Sequence, residues 1–322
     1  MSKKLTKKEL REAYLSQRHT RIGSTDVGAI LGLSQYANAY DVYLHKTGKI
    51  KKPDDLKDSQ AATAGIAFED GVLDWTEELL GPIKRKVIII PDTLPVPIGT
   101  ELDGVLTKTG EPINAKTAGL IGPLDKAKWG TEGTEEVPEL YYIQAQIEML
   151  LSKKDIQHLP AFLGGRGFVY YKIARAQDVI DAIMERLIKF WDVNVKQDIP
   201  PDDLTPSLDV VKYRIRTANK VAEVDEDLIT AYKEASRVEK EAKKIKEATQ
   251  GELLAAMGDA EATQFIEDVG QITYLEGSTT RVDTNKLKKF HADVYAKCSK
   301  TSTSRKMLVR KKAMPVLLTE GE

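Results

Sequence analysis

The sequence predicts an α/β fold in which helices flank a central mixed sheet, followed by a helical, coiled-coil-like C-terminal extension. Three observations predict it. The hydrophobic period changes from helical to alternating and back over residues 25–195, a Pro-rich linker follows at residues 199–206, and small apolar residues then recur with three-and-four spacing over residues 228–249. We therefore predict two domains, residues 1–206 and residues 207–322.

Composition argues against several classes of protein. The 322 residues include 48 Lys and Arg against 49 Asp and Glu, a net charge of −1, and 41% are hydrophobic. No stretch approaches the ~20 apolar residues of a membrane span, and the first residues lack the apolar segment of a signal peptide. We therefore expect no membrane partner and a cytoplasmic location in a bacterial or phage-infected cell. A lone Cys298 and four scattered histidines argue against thiolate and histidine metal sites and leave a carboxylate site open.

Charge is unevenly distributed along the chain. Residues 1–21 carry seven Lys and Arg against two acids, residues 279–322 carry eleven against four, and the segment between them has a net charge of −13. Basic ends around an acidic body suit a protein that binds a polyanion and keeps its carboxylates for another purpose. Solvated chain ends would give the same counts, so charge alone leaves both interpretations open.

The elements of the first domain follow from spacing and from Gly and Pro boundaries. Helices are predicted over residues 25–33, 40–46, 68–79, 139–151 and 177–195. Strands are predicted over residues 83–90, 98–106, 112–117, 158–163 and 167–173. Polar stretches at residues 49–60 and 119–137 predict loops. In the second domain we expect a helical arm, a strand pair over residues 264–275, a basic helix over residues 284–297 and a basic tail.

A candidate metal centre follows from the three central strands. Asn114 and Lys116 are two residues apart and therefore share a strand face, and Asp103 lies on the neighbouring strand. Pairing of the two strands would bring a carboxylate, an amide oxygen and an ammonium group together. Mg²⁺ prefers oxygen ligands, and a lysine beside the ion can orient or deprotonate a bound water for attack on phosphorus. Glu69, on the preceding helix, is a further candidate acid for the ion.

Five motifs in this order resemble the YqaJ-type viral recombinases, the lambda-exonuclease group of the restriction-endonuclease-like nucleases. The resemblance covers about residues 10–200. The motifs are Arg18 with residues 22–36, the helix around Glu69, Asp103-Gly104, residues 113–119 around Lys116, and residues 141–151 around Gln144. Each motif is weak alone, and their common order makes the resemblance specific.

The resemblance implies a restriction-endonuclease-like core and a Mg²⁺-dependent exonuclease, with Mn²⁺ as an alternative ion, that resects double-stranded DNA ends from 5′ to 3′. The residues that it assigns to the metal ion are Asp103, Asn114, Glu69 and the backbone carbonyl of Ala115. The residues that it assigns to catalysis are Lys116, which activates the water, Gln144 and Glu69.

The resemblance also implies how the DNA end is held and which partners act with the protein. Arg18 and Thr25 best match the residues that bind the 5′-phosphate, and Arg21 and Ser24 are neighbours that could substitute for them. A ring-shaped homotrimer and a single-strand annealing protein as partner are further expectations of the same kind.

One position departs from the family pattern. The family normally has Glu where this chain has Asn114, which keeps an oxygen ligand but loses a negative charge, so weaker Mg²⁺ binding is expected. Three accounts stay open: an active natural variant, an attenuated natural enzyme and a sequence altered to trap DNA. Glu111 lies three residues upstream, on the opposite strand face, and is not expected to compensate. The alternative function is a DNA-end-binding recombination scaffold that keeps the nuclease fold without cleavage.

Overall fold

The structure is a computed structural model, and it describes residues 7–50, 60–120, 129–202, 205–217, 220–280 and 282–299. The chain separates into two compact units, Met1–Arg216 and Thr217–Glu322. Most of the first predicted loop, part of the second and nearly all of the basic tail lie outside the described residues. The basic residues of that tail are Arg305, Lys306, Arg310, Lys311 and Lys312.

The helices of the first unit include all the predicted ones, with an additional helix at each end. They are α1 (Lys7–Ser16), α2 (Ser24–Ile30), α3 (Ala39–Lys46), α4 (Gln60–Leu80), α5 (Glu139–Ser152), α6 (Gln177–Lys189) and α7 (Leu208–Val211). The side chain of Asn38 caps α3, and Lys153 ends α5 in a left-handed conformation (φ 56°). The last predicted helix continues beyond α6 as a wider π-helical turn, Phe190–Lys196.

Seven strands form one mixed sheet within the described part of the chain. They are β1 (Ile22–Gly23), β2 (Ile83–Ile89), β3 (Ile98–Leu106), β4 (Pro112–Ile113), β5 (Lys116–Ala118), β6 (Ile156–Leu163) and β7 (Gly167–Ala174). Strand β3 pairs antiparallel with β2 and β4 and parallel with β1. Strand β6 pairs parallel with β4 and β5 and antiparallel with β7. The predicted α/β fold with a central mixed sheet and flanking helices is confirmed.

The strand expected over residues 112–117 is interrupted at its centre. Its two parts, β4 and β5, both pair parallel with β6 in one continuous register. Between them, the backbone N–H of Ala115 donates to the side chain of Asp103 (2.9 Å). The prediction of one uninterrupted strand was therefore wrong, because a side-chain carboxylate takes the place of a backbone acceptor here.

Helices cover both faces of the sheet next to this interruption. Neighbouring strand residues point to opposite faces, so Ile113 packs with Leu73 of α4 while Asn114 faces α5. On the second face, α2 lies very close to α5: a methyl group at Gly28 would lie 2.0 Å from a methyl carbon of Leu140. A larger residue at position 28 would displace the Leu140 side chain, and the close approach brings the first turn of α2 next to the polar residues of α5.

The segment of residues 207–216 packs on the first unit. The Pro-rich linker predicts that this segment belongs to the C-terminal extension, but Val210 of α7 is buried in the largest apolar core of the described residues. A backbone bridge also pairs Arg214 with Ile50. Apolar anchoring of one short helix therefore extends the first unit beyond the Pro-rich linker.

The second unit is helical, as the spacing predicts. Its helices are α8 (Glu226–Met257), which is the predicted arm, and α9 (Thr284–Phe290) and α10 (Ala292–Cys298), which divide the predicted basic helix. The expected strand pair consists of two isolated bridges, Ala262 with Thr273 and Ile266 with Gly270. No helix among the described residues has the length and apolar character needed to cross a membrane.

Candidate active site

The carboxylate of Asp103 lies beside the interruption between β4 and β5. Its Oδ2 accepts the hydrogen bond from Ala115 N. Burial raises the pKa of Asp103 to about 6, the charge of Lys116 opposes this shift, and the carboxylates of Glu69 and Glu148 add to it. A buried carboxylate surrounded by charged side chains is typical of a functional site and would be stabilised by a bound cation.

Asn114 and Lys116 contact each other, as their shared strand face predicts. The ammonium group of Lys116 donates to Asn114 Oδ1 and lies 3.4 Å from Gln144 Oε1 on α5. It also lies 5.0 Å from the ring centre of Tyr141, whose π face attracts a cation. Lys116 is therefore held from three directions, next to the amide that the sequence predicts as a metal ligand.

Sequence reasoning missed Glu148, whose side chain is fully buried. It follows Gln144 by one turn of α5, and Gln144 Nε2 donates to Glu148 Oε1 (2.8 Å). Asn114 Nδ2 donates to both carboxylate oxygens, at 3.0 and 2.8 Å. The available sequence signal is a charged residue inside an otherwise apolar run, residues 147–151, because such residues are rarely buried without a specific role.

Glu69 of α4 forms an ion pair with Lys86 of β2. Lys86 has a left-handed backbone conformation (φ 55°) within the strand, which residues other than glycine rarely adopt. Its ammonium is also one of the charges that act on Asp103. A metal ion would therefore share the Glu69 carboxylate with Lys86, and the metal-binding and catalytic roles of Glu69 stay predictions.

Arg18 and Thr25, the best candidates for binding a 5′-phosphate, contact each other. Arg18 Nη2 donates to Thr25 Oγ1 (2.8 Å) at the first turn of α2. The backbone of Arg18 is held in turn by Lys46, whose ammonium donates to the Arg18 carbonyl oxygen (3.0 Å). The structure thus forms the guanidinium–hydroxyl pair that the resemblance implies, and its phosphate-binding role stays a prediction.

The two alternative phosphate-binding residues have other partners. Ser24 is buried, and its hydroxyl donates to Glu148 Oε1 (3.0 Å). Arg21 donates to Gln17 Oε1 (3.1 Å) and lies 5.7 Å from the ring centre of Tyr14. Of the four candidates, Arg18 and Thr25 are therefore the pair that the structure brings together.

Glu111, which was not expected to compensate for Asn114, is directed to other residues. Its Oε2 lies 3.0 Å from His158 Nε2 and accepts a hydrogen bond from the Thr109 hydroxyl (2.7 Å). Burial raises the pKa of Glu111, but the hydrogen bonds from His158 and Thr109 outweigh it, so the pKa lies below its ordinary value. These bonds hold the Glu111 carboxylate on the His158 side of the strand.

One cleft of about 560 Å³ brings eight of the ten predicted site residues together, and Arg18 and Arg21 are not part of its lining. Its lining includes Ser24, Thr25, Glu69, Asp103, Asn114, Ala115, Lys116 and Gln144. Within the described ranges, no three His, Cys, Asp or Glu side chains group closely enough to form a metal site by themselves. Mg²⁺ commonly binds through one or two carboxylates and keeps several waters, so a carboxylate with amide and peptide oxygens at an open cleft fits it chemically.

The fold and the cleft define an α/β domain with a carboxylate, amide and lysine centre between a sheet and its flanking helices. Residues 13–155 match the model of the YqaJ-like viral recombinase domain. The predicted resemblance to this family is confirmed over this part of the chain. The matched range contains every predicted site residue.

Relatives and solved structures extend the comparison. The chain is 26% identical over 314 residues to the uncharacterized protein YqaJ of Bacillus subtilis (strain 168), covering 93% of this chain and 94% of the relative. A structure of an alkaline exonuclease from Laribacter hongkongensis has a TM-score of 0.45 at 13% identity, covering 58% of this chain and 93% of that one. A phage related exonuclease from Haemophilus somnus has a TM-score of 0.42 at 14% identity, covering 57% and 99%.

Proposed function

We propose that the chain is a phage-type, metal-dependent exonuclease that resects double-stranded DNA ends from 5′ to 3′ for single-strand-annealing recombination. The observation that carries the proposal is one cleft lined by Asp103, Asn114, Lys116 and by Thr25, the hydroxyl partner of Arg18. A reaction centre and a candidate phosphate anchor in one cleft suit an enzyme that acts at a DNA end. The YqaJ-like viral recombinase domain supports a phage-type nuclease.

The oxygen atoms around Asp103 would hold Mg²⁺ or Mn²⁺. They are the Asp103 carboxylate, Asn114 Oδ1 and the carbonyl of Ala115, with Glu69 assisting. A divalent cation bound here supplies Lewis-acid stabilisation of phosphoryl oxygens and makes a water ligand more acidic. Asn114 contributes an oxygen without a negative charge, so we expect weak metal binding and an attenuated rate.

Lys116 orients the water that attacks the scissile phosphate or, as the neutral amine, accepts a proton from it. Its ammonium is held by Asn114 Oδ1 and Gln144 Oε1, so the group points in one direction before substrate binds. Gln144 also bonds to Glu148 and positions the water or the phosphate. A positioned acid–base group of this kind contributes about 10²–10⁴-fold to a rate.

Arg18 and Thr25 anchor the 5′-phosphate of the DNA end. A guanidinium group binds phosphate through short, charge-assisted hydrogen bonds, and a hydroxyl can donate one more. An anchor for the terminal phosphate favours recessed 5′ ends and starts cleavage at the 5′ end. Ser24 is less suited to this role because it is buried and bonded to Glu148, and Arg21 because its guanidinium bonds to Gln17 instead of the Thr25 hydroxyl.

Digestion of 5′-phosphorylated linear duplex DNA with Mg²⁺ or Mn²⁺ tests the proposal. We expect release of nucleotides from the wild type and a loss of about 10²-fold or more in Lys116→Ala. The matched control is Lys84→Ala, which removes an exposed lysine of β2 and should leave the rate unchanged. Retained end binding without nucleotide release from the wild type would reject the exonuclease in favour of the recombination scaffold.

The oligomeric state and the protein partner are further parts of the proposal. By family resemblance we propose a ring-shaped homotrimer that encircles DNA and works with a single-strand annealing protein. Light scattering of the full chain should give three times its 35.8 kDa mass. A monomeric mass at micromolar concentration would reject the ring.

A further inference from the structure

The carboxylate of Glu148 connects helix α5 to the proposed reaction centre. Its Oε1 accepts hydrogen bonds from Ser24 Oγ (3.0 Å), Asn114 Nδ2 (3.0 Å) and Gln144 Nε2 (2.8 Å). Its Oε2 accepts hydrogen bonds from Asn114 Nδ2 (2.8 Å) and Gln157 Nε2 (2.6 Å). Every one of these partners is a donor, which is the set that an ionised carboxylate accepts.

These donors exclude Glu148 as a direct ligand of a cation in the cleft. A carboxylate offers about four lone-pair positions, and six protein hydrogen bonds already use them, the sixth being a long one from Thr100 Oγ1 (3.5 Å). The side chain is fully buried, and Glu148 does not belong to the lining of the cleft. Besides the effect of its charge on Asp103, Glu148 therefore acts on the reaction centre through a neighbouring residue.

That neighbour is Asn114, which lies between a carboxylate and an ammonium group. Its Nδ2 faces Glu148 and its Oδ1 faces Lys116. Rotation of the amide by half a turn would place the oxygen against the Glu148 carboxylate and the NH₂ group against the Lys116 ammonium. Both contacts would be repulsive, so Glu148 and Lys116 together permit one orientation of Asn114.

We propose that Glu148 is the positioning residue of the proposed nuclease centre: its carboxylate fixes the Asn114 amide so that Oδ1 faces Lys116 and the metal-binding cleft. The proposal rests on the proposed function for its catalytic meaning. Glu148 also places one buried negative charge directly behind residue 114. A neutral amide at position 114 and a carboxylate at position 148 are therefore one matched pair.

The pairing predicts that the fold requires one carboxylate in this pair, at position 114 or at position 148. Two carboxylates, or none, should destabilise the protein. In Asn114→Asp, two buried carboxylates contact each other, which is strongly unfavourable. In Glu148→Gln, an NH₂ group replaces one of the two oxygens that accept hydrogen bonds. The donors that bonded to that oxygen then face another donor, so at least one of them stays without an acceptor.

The double variant Asn114→Asp/Glu148→Gln restores a satisfied arrangement. The new amide NH₂ group at position 148 then donates to the carboxylate at position 114, which still accepts from Lys116. Its second hydrogen is accepted by Gln157, because Gln157 Oε1 is buried without a hydrogen-bond partner in the described structure and a rotated Gln157 amide presents that oxygen. The exchange therefore moves the charge by one side chain and leaves one polar atom of Gln157 without a partner, as in the wild type.

Thermal unfolding of the full chain in metal-free buffer tests this pairing independently of activity. Each single substitution should lower the Tm by roughly 5 °C or more, and the double variant should return to within about 2 °C of the wild type. If one single variant does not fold and the double variant does, the rescue supports the pairing equally. A Tm loss in the double variant that equals the sum of the single losses would overturn it.

Mn²⁺ titration calorimetry and steady-state kinetics test the consequence for the reaction centre. In Glu148→Gln, the Kd for Mn²⁺ should rise and kcat should fall by about 10–100-fold, as for residues that orient metal ligands, while the KM for DNA stays within about twofold. The double variant should recover both quantities. The matched control, Glu111→Gln, changes a carboxylate that is bonded to His158 and Thr109 and should leave both unchanged.

The measurements separate failure of this inference from failure of the proposed function. A wild type that neither binds Mn²⁺ nor cleaves DNA rejects the nuclease, and the Tm comparison then still decides whether Glu148 and Asn114 are a matched pair. An active wild type whose Glu148→Gln variant keeps its Mn²⁺ affinity and kcat rejects the positioning role alone.

Discussion

The ammonium group of Lys46 lies 2.6 Å from the carboxylate of Asp26, and the Lys46 side chain is completely buried. Asp26 also accepts a hydrogen bond from the backbone N–H of Gly23 (2.8 Å), while Lys46 donates to the carbonyl oxygen of Arg18. This ion pair thus ties α3 to the first turn of α2 and to the Arg18 backbone. It holds in place the segment that presents Arg18 to Thr25.

Replacement of Asp26 by Asn should destabilise the first unit strongly. The substitution leaves the buried Lys46 ammonium without its anionic partner, and a broken buried pair typically costs ~3–5 kcal/mol. The measurement is urea unfolding followed by tryptophan fluorescence, because Trp75, Trp129 and Trp191 all lie in the unit Met1–Arg216.

The matched control for this substitution is Asp192→Asn. Asp192 forms a 2.7 Å pair with Lys196, but both side chains are largely exposed, so the loss should stay below about 1 kcal/mol. Equal losses in the two variants would contradict the structural role of the Asp26–Lys46 pair.

The same ion pair should make stability depend on pH in the acid range. Burial raises the pKa of Asp26, but the charges of Lys46 and Arg18 and two hydrogen bonds outweigh it, so the folded-state pKa is below the ordinary value. The unfolded chain then takes up a proton first, near pH ~3.9, and the stabilisation is lost as the pH falls further through the folded-state pKa.

Urea midpoints between pH 7 and pH 2.5 check this dependence. The difference in unfolding free energy between the wild type and Asp26→Asn should be constant above about pH 5 and should shrink below about pH 4. A difference that stays constant to the lowest pH would show that Asp26 is not the titrating group.

Local patterns were sufficient to predict most of the elements and the Asn114–Lys116 part of the candidate site. Side-chain alternation brought Asn114 and Lys116 to one strand face, and the structure places them in contact. The interruption of that strand was not predictable, because it depends on Asp103 accepting from Ala115 N, a contact between different strands. Spacing rules describe neighbours on one element and contain no information about such bonds.

The role of Glu148 was hidden for a related reason. Its i, i+4 relation to Gln144 is visible in the sequence, but amphipathic spacing normally assigns the polar residues of a helix to solvent. In the fold, the sheet and α2 cover this polar side of α5, so Glu148 faces Asn114 and Ser24 instead of water, and Gln144 lines the cleft. The tight approach at Gly28 that creates this surface is a property of the tertiary packing.

Replacement of Lys86 by Met should increase the affinity for divalent cations. Lys86 pairs with Glu69, whose carboxylate lines the cleft, and so competes with any metal ion for that carboxylate. Removal of the competing charge should lower the Kd for Mn²⁺ about fivefold, which corresponds to the ~1 kcal/mol of a partly exposed ion pair. Calorimetry with Lys84→Met as control measures it, and a weaker Mn²⁺ affinity in Lys86→Met would show that the Lys86–Glu69 pair supports the site.

Arg18→Ala should reduce cleavage of 5′-phosphorylated DNA much more than cleavage of 5′-hydroxyl DNA. The proposed anchor acts through charge-assisted hydrogen bonds to the terminal phosphate, and each such bond contributes about 1.5–3 kcal/mol, so we expect a loss of about 10–100-fold in kcat/KM on the phosphorylated end alone. Arg21→Ala is the matched control, because Arg21 bonds to Gln17 and does not contact Thr25 through a hydrogen bond in the described structure. Equal losses on both kinds of end would assign Arg18 to general DNA binding, since a contact to internal phosphates cannot distinguish the two substrates.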